Sequence, residues 1–132
     1  MSNKILVILT CFLLILPLIG SCSKGTASVR YQKIDAREAK SIIDNEDDIV
    51  ILDVRTKQEY DQGHILNAVL IPDVNLKDEV EEIIPDKNIK ILVYCRSGRR
   101  SAASAKLLIE MGYKNVYDFG GINDWPYDIV TD

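Results

Sequence analysis

One of the three cysteines in this 132-residue chain stands among residues that would activate it as a nucleophile. Cys95 ends the aliphatic run Ile89–Tyr94 and is followed by Arg96, Ser97, Gly98, Arg99, Arg100 and Ser101, where a helical pattern begins. A chain that stops extending at Cys95 and turns at once into a helix must bend sharply, and Gly98 permits the backbone geometry for it. Such a turn directs several amide N–H groups into one concavity that attracts anions. The helix macrodipole adds positive potential at the same place, and Arg96, Arg99 and Arg100 add up to three full charges. A thiol so placed is expected to ionise below its ordinary pKa of ~8.5, in the range ~3.5–7.5 of activated cysteines, with no histidine base. The cradle would also gather small oxyanion substrates. The plainer alternative is a core cysteine beside solvated arginines. Three arginines, a glycine and two serines make up the six following residues and favour the reactive reading.

Other candidates carry less. Asp53 and Arg55 close the aliphatic run Ile49–Leu52, and the reading preferred for them is a structural pair, with each other or with backbone, that fixes loop geometry. His64 is the only imidazole, so a Cys–His dyad would have to use it. Tyr94 and Trp125 read as core residues, and the acidic stretch from Asp73 to Glu82 as a solvated helix face without the spacing of a calcium loop. One histidine and scattered cysteines offer no zinc spacing, so no metal or other cofactor is expected.

The elements that must position Cys95 alternate in type. Asp35 and Glu38 have capping-box spacing and open a helix whose apolar face is Ala36, Ala39, Ile42 and Ile43. Ile49–Leu52 is the continuous aliphatic run of a strand buried on both faces. A short helix over Thr56–Gln62 is closed by Gly63, and a brief strand over Ala68–Ile71 is stopped by Pro72. The pattern then predicts a helix over Asn75–Ile84, a strand over Ile89–Tyr94, a helix over Ser101–Met111 and a strand over Val116–Phe119 before Gly120 and Gly121. This order implies an α/β fold, a parallel sheet flanked by helices on both faces, with ligands at the carboxyl ends of its strands.

Cys95-Arg96-Ser97-Gly98-Arg99-Arg100-Ser101 closely resembles the active-site loop of single-domain rhodaneses, the thiosulfate sulfurtransferases. Leu52-Asp53-Val54-Arg55, with Glu59, Tyr60, Gly63, His64 and Ile65, resembles the upstream rhodanese signature, and Gly120–Pro126 the downstream one. The resemblance implies a five-stranded parallel sheet and a two-step reaction. Cys95 would take a sulfane sulfur from thiosulfate or a similar donor as a persulfide and pass it to cyanide or a thiol. It makes Arg96 the substrate-binding base, Ser97, Gly98, Arg99 and Arg100 the rest of the cradle, Ser101 a support of the site, and His64 a packing and turn element. Phosphatases and arsenate reductases with a related loop place five residues between the cysteine and a required arginine; here that position is Ser101, and Arg100 comes one residue early. The alternative from another class is a persulfide carrier or binding module with little turnover.

The N-terminus reads as an address. Lys4 precedes the apolar run Ile5–Gly20, which is short for a membrane span of about 20 residues and fits the apolar region of a secretory signal. Leu18-Ile19-Gly20-Ser21-Cys22 resembles the bacterial lipobox, which implies a signal peptide over 1–21, acylation of Cys22, a flexible tether over 22–30 and a domain over 31–132. A retained anchor helix is the alternative. The expected location is the extracytoplasmic face of a bacterial cell membrane, and the expected state a lipid-anchored monomer. Its partners would be small sulfur-containing anions and thiol acceptors, with no protein partner specified. A net charge of −4 gives no polybasic footprint for nucleic acid, and 47% hydrophobic with 27% charged residues is a globular composition.

Overall fold

The computed structural model describes residues 30–131; the expected signal, the acylation site Cys22 and nearly all of the tether lie outside them. Five strands, β1 (Gln32–Lys33), β2 (Ile49–Asp53), β3 (Val69–Leu70), β4 (Lys90–Cys95) and β5 (Asn115–Gly121), form one sheet in the order β1-β5-β4-β2-β3. Every neighbouring pair is parallel. The connections contain α1 (Ala36–Asn45), α2 (Lys57–Asp61), α3 (Leu76–Ile83) and α4 (Arg99–Glu110). No helix among the described residues is long and apolar enough to cross a membrane.

The aliphatic runs become the two central strands because each must feed two cores. Ile91, Val93 and Cys95 of β4 share one core with Leu52, Val80, Ala105 and Leu108, beneath α3 and α4. Leu92 and Tyr94 enter the other with Ala39, Ile65, Phe119 and Trp125, on the side of α1. This is the alternation of a pleated strand between two layers.

Local signals account for most boundaries. Asp35 caps α1 by accepting the Glu38 amide at 2.8 Å. Thr56 and Glu59 form a full capping box at α2, with both side chains returning to backbone amides. Two boundaries differ from expectation by more than one residue. Helix α4 starts at Arg99 rather than Ser101, because Gly98 in the left-handed region (φ 98°) completes the turn and the next residue is already helical. Strand β5 continues through Gly120 to Gly121, since Cys95 pairs with Gly121 and carries the ladder to the end of β4. Edge strand β1, two exposed polar residues long, has no sequence signature and exists because Gln32 and Lys33 pair with Tyr117 and Asp118.

Candidate active site

The alternation of β4 fixes where its last side chain goes. Cys95 follows Ile91 and Val93 toward α4 and sits at that helix's N-terminus, 1% exposed. Its sulfur has core residues on one side and the loop on the other, and the Gly98 amide donates to Sγ at 3.0 Å. Burial alone would push the thiol pKa up. The Ser101 amide and hydroxyl, with the Gly98 and Ser97 amides, outweigh burial and bring it below the ordinary value. A purely structural core cysteine would lack these donors.

The Ser101 hydroxyl has other partners: Asp118 Oδ1 lies 2.7 Å away, and the carbonyl oxygens of Gly98 and Gly120 lie at 3.1 Å each. A hydroxyl has one proton to donate, so the amides are the constant donors to sulfur. Asp118 Oδ1 also accepts the Gly120 amide at 3.0 Å. This carboxylate, 1% exposed, ties β5 to the start of α4 and was not singled out from the sequence. A charged residue inside the buried pattern Val116–Phe119 was the signal that could have found it.

The three arginines do not converge. Arg100 forms a two-pronged pair with Glu59, at 2.9 and 2.7 Å. Arg96 borders a cleft of about 360 Å³ with Arg55, Gln62 and Asn123. Arg99 borders a separate cleft of about 670 Å³ on the side of β1 and α1. Consecutive helical residues point about 100° apart, so Arg99 and Arg100 could not both face the sulfur. The expectation of three guanidinium charges around the thiol is corrected accordingly: the donors to Sγ are backbone dipoles and a hydroxyl, and the guanidinium coupled to the thiol is shared with an acid. Arg100 has its pKa raised, first by its bond to Glu59 and to a smaller degree by the Cys95 charge.

Glu59 is the second residue whose role was not read from the sequence. Its bond to Arg100, aided by Thr56 and opposed by burial, lowers its pKa from 4.5 to about 2. A carboxylate depressed in the folded state adds stability above its unfolded pKa and loses it as pH falls through the folded value. Glu59→Gln should therefore lower the urea midpoint near neutrality. The gap to wild type should narrow steadily below about pH 4.5 as wild type approaches its own pKa of about 2. A gap independent of pH would contradict the pairing.

Asp53 and Arg55 form the expected structural pair. The Arg55 Nη2–Asp53 Oδ2 distance is 2.6 Å, both side chains are buried, and Nη2 also donates to the Gly63 carbonyl at 2.8 Å. They fix the turn after α2, where the His64 ring stacks on Tyr60 at 3.7 Å, with Nδ1 3.0 Å from the Tyr60 carbonyl. Tyr94 is fully buried and its hydroxyl accepts the Ile65 amide at 3.1 Å; Trp125 packs against Phe119. None of these residues is among the donors to the sulfur.

The model of the rhodanese-like domain matches residues 35–127. The chain belongs to the rhodanese-like domain family. It is 40% identical over 73 residues to thiosulfate sulfurtransferase PspE of Escherichia coli, covering 55% of this chain and 70% of that one. It is 38% identical over 96 residues to thiosulfate sulfurtransferase GlpE of Coxiella burnetii, covering 72% and 87%. Among solved structures, a rhodanese-related protein of Thermoplasma volcanium superposes with a TM-score of 0.68 at 31% identity, over 77% of this chain and all of the other. The rhodanese fold and kinship with sulfurtransferases are thereby shown.

Proposed function

We propose that this rhodanese-like protein is a sulfurtransferase that moves a sulfane sulfur from thiosulfate or a similar donor to a thiophilic acceptor through a persulfide on Cys95. The observation that carries this reading is the one thiol of the described residues, Cys95, set among amide donors that lower its pKa with no imidazole among them. The Cys95 thiolate attacks the outer sulfur of thiosulfate. The new S–S bond forms as the old one breaks, and sulfite leaves with the bonding pair. Cyanide or a thiol then attacks the outer persulfide sulfur, and the pair of the cleaved S–S bond returns to Cys95 as thiolate. The Ser97, Gly98 and Ser101 amides stabilise the anion at both stages. Arg96, exposed beside the loop, is assigned to the incoming oxyanion.

One observation favours a second reading. At 1% exposure Cys95 could hold a persulfide for a partner and turn over slowly, as a carrier would. Mass spectrometry after brief thiosulfate treatment should find about 32 Da added at Cys95, and cyanide should discharge it over many cycles. A stable adduct discharged once or not at all would support the carrier, and no adduct at Cys95 would refute both readings.

We also propose that Cys22 carries the lipid anchor on the extracytoplasmic face of a bacterial membrane, on the strength of the Leu18–Cys22 lipobox. Cells fed labelled palmitate should label the wild-type protein and leave Cys22→Ala unlabelled. Label that persists in the variant would overturn the assignment.

A further inference from the structure

The cleft of about 670 Å³ beside the loop is far larger than thiosulfate or cyanide requires and lies in the size range of small-molecule sites. It runs from Ser97, Gly98 and Arg99 to β1 and the start of α1, and Pro126 and Tyr127 form its other side. Both charge signs line it. Lys33 and Arg99 are exposed and make no ion pair among the described residues, and the same holds for Asp124. Arg37 lies 3.9 Å from Asp35 with both side chains largely in water, so that pair leaves its guanidinium available. The Tyr127 ring, edge-on to Trp125 at 4.9 Å, adds an apolar surface.

Gly98 belongs both to the cleft and to the surroundings of the thiol. Gly98 lines the cleft while its amide stands 3.0 Å from Cys95 Sγ. Gly120 also lines the cleft, and a Cβ built on it would meet nothing within 4 Å. Gly98 and Gly120 also lie against each other, since a Cβ built on Gly98 would meet Gly120 Cα at 3.4 Å.

Resting on the sulfurtransferase reading above, we propose that this cleft is the acceptor site and that the acceptor is a low-molecular-weight, peptide-like thiol bearing both carboxylate and ammonium groups. Its carboxylates meet Lys33, Arg37 and Arg99, its ammonium meets Asp124, and its sulfur crosses the rim at Gly98. There it attacks the outer sulfur of the Cys95 persulfide: the acceptor S–S bond forms, the Cys95 S–S bond breaks, and Cys95 recovers a thiolate. The thiol's proton ends on the acceptor persulfide, so charge and atoms balance.

Three acceptors test this with the full chain and thiosulfate as donor: reduced glutathione as the zwitterionic probe, 2-mercaptoethanol as a neutral thiol, and cyanide. In the double variant Lys33→Glu, Arg37→Glu, the KM for glutathione should rise about tenfold or more. The KM for 2-mercaptoethanol and the turnover with cyanide should stay as in wild type, which also reports that the variant is folded. Asp124→Asn, a milder change at the opposite charge, should raise the glutathione KM severalfold with the same selectivity. An unchanged glutathione KM, an equal loss with all three acceptors, or a wild type that uses cyanide but not glutathione would overturn the acceptor site. A wild type inert with every acceptor would instead sink the sulfurtransferase reading on which it rests.

Discussion

Cys95→Ser should leave thiocyanate formation from thiosulfate and cyanide at the background rate while the protein stays folded. Oxygen replaces sulfur with little change of shape, so the Gly98 amide keeps an acceptor and the core around Leu52, Val93 and Ala105 keeps its packing. The chemistry does not survive the exchange. The amide donors that bring a thiol below its ordinary pKa cannot ionise a serine hydroxyl near neutrality, and the chain's single imidazole, His64, is buried against Tyr60. Thiocyanate production by the purified variant, beside its thermal unfolding curve, checks both halves. Substantial residual turnover in a folded variant would remove Cys95 from the mechanism.

The second large effect lies outside the loop. A Cβ on Gly121 would stand 2.2 Å from the Arg96 carbonyl oxygen and 2.6 Å from Ser97 Cα, both backbone atoms of the active-site loop. Gly121 is an extended residue at the end of β5, with φ −124° and ψ 149°, so alanine fits its conformation and the conflict is purely steric. The conflict is met where Gly121 pairs with Cys95 and Asn123 donates to the Arg96 carbonyl, so the loop can yield only by leaving its place over the sulfur. Gly121→Ala should cost about 10²-fold in kcat/KM, the effect expected of a misplacement near 1 Å, and about 1–3 kcal/mol of stability from overpacking. Gly112 is the control: its φ of 95° strains any side chain, but an added Cβ meets nothing within 4 Å. Gly112→Ala should lower the melting temperature without touching turnover. Equal activity in the two variants would mean that loop position does not govern the reaction.

These expectations show which parts of the molecule were legible in the sequence. Ile49–Leu52 and Ile89–Tyr94 declared themselves because a strand packed on both faces must be apolar throughout. The position of Cys95 followed from its place at the end of such a run, before a glycine and a helix. Edge strand β1 stayed hidden because two exposed residues carry no periodicity. The loop's composition was readable but its directions were not: where each arginine points depends on helix phase, and helix phase depended on Gly98 ending the turn two residues earlier than the pattern suggested. Glu59 and Asp118 escaped for a related reason. Their partners, Arg100 and Ser101, lie 41 and 17 residues away, and only the fold brings them together.

The central claim is that peptide dipoles and a serine at the head of α4 lower the pKa of the Cys95 thiol. Its most direct test is the pH dependence of thiolate absorbance near 240 nm, taken as the difference between wild type and Cys95→Ser so that the other cysteines cancel. The account predicts a single transition with its midpoint below the ordinary thiol value of about 8.5. A midpoint at or above that value would contradict it.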